Sequence, residues 1–355
     1  MNPKSFQKSL DSVLRFVNLV AMVDLMIPIR SCRLMDVWSA VVLAGVVLVS
    51  AIGVFGHHLT AAEPPITAIE FLPDGGSVVI GSQAGLVVYN WPDLKPQRMI
   101  PTTLVAVHDL AFSPNGHQLA VAGGSPAEQG QVEVIGWPGE DSRSVLNGHD
   151  DSVVAIAWQD DSVLVTASLD HEIAIWDVAS RKPVRRLAGH SRGVTTLSLL
   201  PNQRGLVSAG IDQSLRVWNA ETGQLVRNLN NHTAEVRQLA WRPVADGLPM
   251  IASISDDRTV RFWQPTIGRM VRFAKLISPP LAAQWVLDGS KIAVSCTDGH
   301  VRVIDPESTE VMEDIAAING WAYSLGVHPK DGSLLVGGQD GQLKRIILAP
   351  RMPSD

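Results

Sequence analysis

One unit of about 42 residues recurs along most of this chain, and the repeat restricts the fold more than any other feature. Past Pro65 the sequence becomes short β-branched runs between turn residues: ITAIEF, SVVIGS and GLVVYN, then HDLAFSPNG, QLAVAGG and QVEVIGW. Alternation with period two, bounded by Gly, Asn, Asp and Pro, reads as strands and tight turns. Aligning the copies on the residue that closes each third strand gives Tyr89, Ile135, Trp176, Trp218, Trp263, Ile304 and Ile346. Successive spacings run from 41 to 46 residues, which one four-stranded antiparallel sheet fills. Six positions before each stand Gln83, Gln129, Asp170, Asp212, Asp257, Asp298 and Asp340. The expected architecture is therefore all-β.

The fullest copies begin GHDDSVVAIAW, GHSRGVTTLSL and NHTAEVRQLAW, and end IAIWD, LRVWN and VRFWQ. Over roughly residues 57–348 they resemble the WD-repeat, G-protein-beta-like family of β-propellers, most closely in units three to five. The resemblance implies seven blades whose first strands line a central channel. It also implies a hydrogen-bonded tetrad in each full blade. The matching sets are His149, Thr166, Asp170 and Trp176; His190, Ser208, Asp212 and Trp218; and His232, Ser253, Asp257 and Trp263. Three His–Ser/Thr–Asp sets could suggest hydrolase triads. Their repetition at fixed offsets instead fits a scaffold, because catalysis does not require a site in every unit. Units six and seven keep Asp298 and Asp340 but carry Val294 and Val336 where the hydroxyl belongs. These units, with one and two, are expected to rest on apolar packing around Phe71, Phe112, Trp158, Trp241 and Trp285.

Other motifs add little chemistry. Gly189-His190-Ser191-Arg192-Gly193 fits GxSxG, yet that elbow works only between a strand and a helix. No phosphate-binding loop, HExxH or EF-hand pattern occurs. His57-His58, and Cys296 with His300, lack a third metal ligand. Two cysteines, Cys32 and Cys296, make no disulfide framework. No cofactor and no metal are expected, and no catalytic residue is assigned. The net charge of −6 argues against a nucleic-acid partner.

Val37–Phe55 is nineteen residues without a charge, nearly enough to span a bilayer core of about 30 Å as a helix. Lys4, Lys8, Arg15, Arg30 and Arg33 precede it, whereas the first basic residue after it is Lys95. This asymmetry puts residues 1–36 in the cytoplasm, 37–55 in the membrane and the propeller, 56–348, on the non-cytoplasmic side, with 349–355 as a tail. The alternative is a signal peptide cleaved near Thr60-Ala61-Ala62, giving a secreted or periplasmic protein. Unit seven ends with its third strand, so Gly53–Thr60 is expected to pair with Leu343–Ile347 and close the ring. That argues for the uncleaved anchor.

The resemblance implies docking on the face that carries the loops between blades. Positions one, three and five after each repeat histidine project there: Asp150, Ser152 and Val154; Ser191, Gly193 and Thr195; Thr233, Glu235 and Arg237. The enlarged turn Gly124–Gly130, with Glu128, joins them. The expected function is a non-catalytic protein-binding scaffold, a monomeric propeller tethered to or exported across a membrane. Its partner is an unidentified protein, for instance a client in assembly of an outer-membrane or secretion complex. The alternative is an extracytoplasmic, lactonase-like hydrolase using the channel, where the sequence offers Glu70, His108 and Gln284.

Overall fold

The computed structural model describes residues 63–201, 204–243 and 247–348. Val37–Phe55, the cleavage site near Thr60, His57-His58 and the proposed closing strand Gly53–Thr60 lie outside these residues. Among the described residues no helix is long and apolar enough to cross a membrane.

Seven antiparallel sheets follow one another along the chain. Blade three is representative: Val153–Trp158, Val163–Ser168, Glu172–Asp177 and Lys182–Ala188 pair in sequence as a meander. Burial explains the composition of each position. The second strand of blade four, Gly205–Gly210, is buried throughout because neighbouring blades cover both its faces, so polar alternation disappears. The outer strand of blade three, Lys182–Ala188, is mostly exposed and basic.

Apolar clusters fill the seams between blades. One joins Ala120 and Leu146 of blade two to Trp158, Leu164 and Trp176 of blade three. Each inner strand packs on the next, and Ser324–Val327 of blade seven returns to Ala68–Phe71 of blade one. The chain is an all-β, seven-bladed propeller.

Inner-strand side chains tie the blades together. The Glu70 carboxylate accepts the Phe112 N–H, and Asp109 Oδ2 accepts the Ile156 N–H at 2.9 Å. Thr196 Oγ1 accepts the Leu239 N–H at 3.1 Å and Gln238 Oε1 the Ala283 N–H at 2.7 Å. In blades three and six the position of Asp109, Thr196 and Gln238 is held by Ala155 and Ala282, which cannot form such a strut.

Blade one departs from the expected alignment. Tyr89 lies opposite Val78, so Ile80 holds the position that Thr166 holds in blade three. Its second turn is one residue shorter, and Gln83 does not stand in for the turn aspartate. Blades one and two use a different stabiliser: Trp91 meets Phe71 edge-on at 5.0 Å, and Trp137 meets Phe112 at 5.1 Å. Blade seven has three strands among the described residues, with Leu343–Ile346 outermost. Ahead of blade one, the Ile66 N–H donates to the Gly338 carbonyl at 3.0 Å. The segment entering blade one therefore lies against blade seven.

Candidate functional site

Each full blade wires its tetrad alike. In blade three, Trp176 Nε1 donates to Thr166 Oγ1 at 2.8 Å, and that hydroxyl lies 2.7 Å from His149 Nε2. His149 Nδ1 meets Asp170 Oδ2 at 2.7 Å. The same path runs from Trp218 through Ser208 and His190 to Asp212, and from Trp263 through Ser253 and His232 to Asp257. One pattern of donors satisfies every atom: indole N–H to hydroxyl, hydroxyl to Nε2, and Nδ1–H to carboxylate. The imidazole is then neutral.

Burial works against ionisation of Asp257, but bonds from Thr259, His232 and the Thr233 N–H outweigh it and hold the carboxyl below its ordinary range. Asp170 and Asp212 are lowered by the same balance. Burial depresses His232, with Asp257 opposing. The order hydroxyl–imidazole–carboxylate is that of a hydrolase triad. However, Thr166, Ser208 and Ser253 are 0% exposed and each is capped by an indole, so no substrate carbonyl can reach them. The GxSxG match falls between strands Lys182–Ala188 and Val194–Leu199, without the helix that the elbow needs.

The inter-blade loops share one face, and there the structure separates the expected positions. Asp150, Ser191, Thr233, Glu128 and Arg237 are exposed, while Val154, Thr195 and Glu235 are half-buried. Ser152 and Gly193 are buried, which corrects their assignment to an open docking face. The Ser152 carbonyl accepts the Leu169 N–H, so the next turn lies over it. A Cβ on Gly193 would meet Leu169 and Ile211 at 3.0–3.1 Å. The enlarged turn is a hairpin extension, with Gly124 paired to Gly130 and Ser125 to Gln129. Its Ala127 N–H donates to Asp151 Oδ1 at 2.8 Å, anchoring the tip on blade three.

Val154, Thr195, Glu235 and Arg237 come together with Leu169 and Ile211 around a cavity of about 300 Å³. A bulge at the start of the blade-five inner strand sets Arg237 off the ladder. Its guanidinium meets Asp256 at 2.6 and 2.8 Å and Glu235 at 3.0 Å. Burial raises Glu235, with Arg237 opposing that shift. Ile277, Val105 and Trp321, at 75%, 64% and 49% exposure, extend this face as apolar points that the repeat pattern did not single out.

The channel holds about 430 Å³, lined among others by Glu70, His108, Asp109, Gln238, Gln284 and Tyr323. Burial, then the Asp109 charge, pushes Glu70 up to about 8. Burial takes Asp109 up to about 7 against two backbone N–H bonds. Burial also lowers His108, whose Nε2 has no partner among the described residues. Asp109 and Gln238 escaped notice in the sequence because the strut position they share with Thr196 is filled by a different residue type in each of the three blades, and Tyr323 because it belongs to no repeated offset. No group of three or more potential metal ligands comes together among the described residues.

Seven blades with three complete tetrads define a β-propeller of the WD type. A family model described as "WD domain, G-beta repeat" matches residues 140–177, 181–219 and 223–264, so three of the seven blades carry WD40 repeats. It is similar to guanine nucleotide-binding protein G(I)/G(S)/G(T) subunit beta-1 of Homarus americanus, 29% identical over 148 residues, 39% of this chain and 41% of that protein. It is also similar to nuclear distribution protein PAC1 of Fusarium vanettenii, 26% identical over 40% of this chain and 34% of that protein. WD repeat-containing protein VIP3 of Arabidopsis thaliana is 25% identical over 55% of this chain and 66% of its own length. The matches thus span from about a third to just under two thirds of these relatives.

Proposed function

We propose that this chain is a non-catalytic protein-interaction platform whose docking face is centred on blades three to five. The observation that carries the reading is the cavity that gathers Val154, Thr195, Glu235 and Arg237 beside Leu169 and Ile211. A partner side chain entering it would find apolar walls and a fixed guanidinium–carboxylate rim. The three tetrads, with the Thr196–Leu239 strut between blades four and five, hold this surface before binding, so little ordering cost accrues. WD-repeat relatives support the scaffold reading. Val37–Phe55 and its charged flank support a tether that places a monomeric propeller on the non-cytoplasmic side. The test compares partner capture by the intact protein with capture by Arg237→Glu carrying a shortened 124–130 hairpin. Loss of a reproducible partner is expected, and unchanged capture overturns the reading.

Glu70, Asp109 and the unpartnered His108 favour a second reading, a hydrolase acting in the channel. Against it, Glu70 and both Asp109 oxygens already accept backbone N–H groups, so their geometry serves the ring. Metal-dependent hydrolysis by purified protein, abolished by Glu70→Gln, would establish this alternative.

A further inference from the structure

The charge of this propeller is sharply divided. Residues 63–177 carry three Lys and Arg against sixteen Asp and Glu, whereas residues 178–275 carry fifteen against six. A chain of net charge −6 thus contains an arc, from the outer strand of blade three through blade five, with net charge +9.

A register rule places part of that charge on the rim. Nine residues after the third-strand aromatic, on the outer strand, stand Arg98, Arg185, Arg227 and Arg272. All four lie opposite the residue just before that aromatic. At the two ends of the series a glutamate on the next blade neutralises the arginine: Glu140 meets Arg98 at 2.6 Å and Glu307 meets Arg272 at 2.6 Å. In the middle no carboxylate among the described residues does. Arg185 donates to the Ala220 carbonyl at 2.9 Å, and Arg227 lies over Gly268, so the basic run continues across both seams. Lys182, Arg269 and Lys275 are exposed on the same outer strands, with no carboxylate partner among the described residues. Between them Val184, Val226, Leu225 and Phe273 are 63%, 55%, 45% and 41% exposed.

We propose that this rim, the outer strands of blades three to five, docks an extended acidic segment of a partner protein whose carboxylates alternate with aliphatic side chains. Charge complementarity sets the sign, and the aliphatic side chains interleaved with the cations set the composition. The arc bends around three blades of seven, so a flexible chain can follow it where a flat lipid surface touches only part. Single-stranded nucleic acid uses aromatic platforms for its bases, and Phe273 is the one exposed aromatic among the outer-strand residues of this arc.

The test uses the full-length protein in non-ionic detergent and a synthetic Glu/Leu-alternating peptide bearing a photo-crosslinker. The expected result is saturable binding that weakens at least tenfold from low to physiological salt, with crosslinks on the outer strands of blades three to five. The triple variant Lys182→Glu, Arg227→Glu, Lys275→Glu should lose binding at least tenfold while Arg237→Glu retains it, which keeps this surface distinct from the loop face. If the triple variant does not fold, the crosslink map on unaltered protein decides. Crosslinks elsewhere overturn the proposal. So does a folded triple variant that binds normally, or tighter binding of phosphatidylserine nanodiscs or a single-stranded oligonucleotide at equal salt.

Discussion

His328 in the last blade donates from Nε2 to the carbonyl of Gly75 in the first, at 2.9 Å. Its ring stacks on Trp91 at 5.0 Å, and Arg345 lies 4.6 Å over the other component of the stack. This joint meets where the chain's two ends must be brought together. Gly75 has φ of +69°, and a Cβ there would sit 2.6 Å from His328 Nε2. Gly75→Ala should therefore cost about 1–3 kcal/mol through backbone strain, in addition to displacing the ring. Gly76→Ala, with nothing closer than 3.4 Å, should be much milder. Urea unfolding of the two variants side by side checks this.

Asp257→Ala removes the acceptor of His232 Nδ1–H and of the Thr233 N–H. Stranding a buried imidazole should cost about 1–3 kcal/mol, read as a fall in the urea midpoint. His232 signals in NMR should lose the hydrogen-bonded Nδ1 proton. A variant that remained as stable as the parent would show that the tetrad contributes nothing to blade five.

Glu70 gives the stability a pH dependence. Unfolded, it ionises near 4.5; folded, it keeps its proton up to about 8. Between those values the native state binds more protons, so stability must fall as pH rises. The depressed His108 acts in the opposite sense below about 6.5 and the raised Asp109 in the same sense up to about 7, so Glu70 is read between pH 7 and 9 by comparison with its own variant. There the parent should lose thermal stability and Glu70→Gln should lose less. Parallel curves for the two proteins would count against a protonated Glu70.

Leu343–Ile346 is the outermost described strand of blade seven, and Glu63 lies close by, since a Cβ on Gly341 would touch it. We expect a protein lacking residues 1–61 to aggregate or to melt earlier than the full chain, because an open sheet edge recruits other strands. Light scattering and thermal melts compare them. Sequencing the mature N-terminus supplies a second measurement, with a start at Glu63 contradicting a role for Gly53–Thr60 in closure.

The repeat exposed most of the fold because a tetrad is a set of offsets, and offsets survive in sequence. What single residues do in one blade was less legible. Trp91 and Trp137 replace tetrad packing from an outer turn, two residues after Tyr89 and Ile135, a part of the unit that the tetrad offsets do not cover. Ser152 and Gly193 follow the docking pattern yet lie beneath a neighbouring turn, because exposure depends on the adjacent blade rather than the residue's own. Whole-chain charge concealed a basic arc that only a count taken segment by segment along the chain exposes.

The missing struts at Ala155 and Ala282 have a mechanical corollary. Between blades three and four, and between six and seven, the inner ring lacks that bond, though Arg185 and Lys344 still reach carbonyls of the adjoining blade farther out. Force applied through a tether or a bound client would cross those two seams without the inner bond, and the disc would flex there as two arcs, blades four to six against seven to three, before any single sheet came apart.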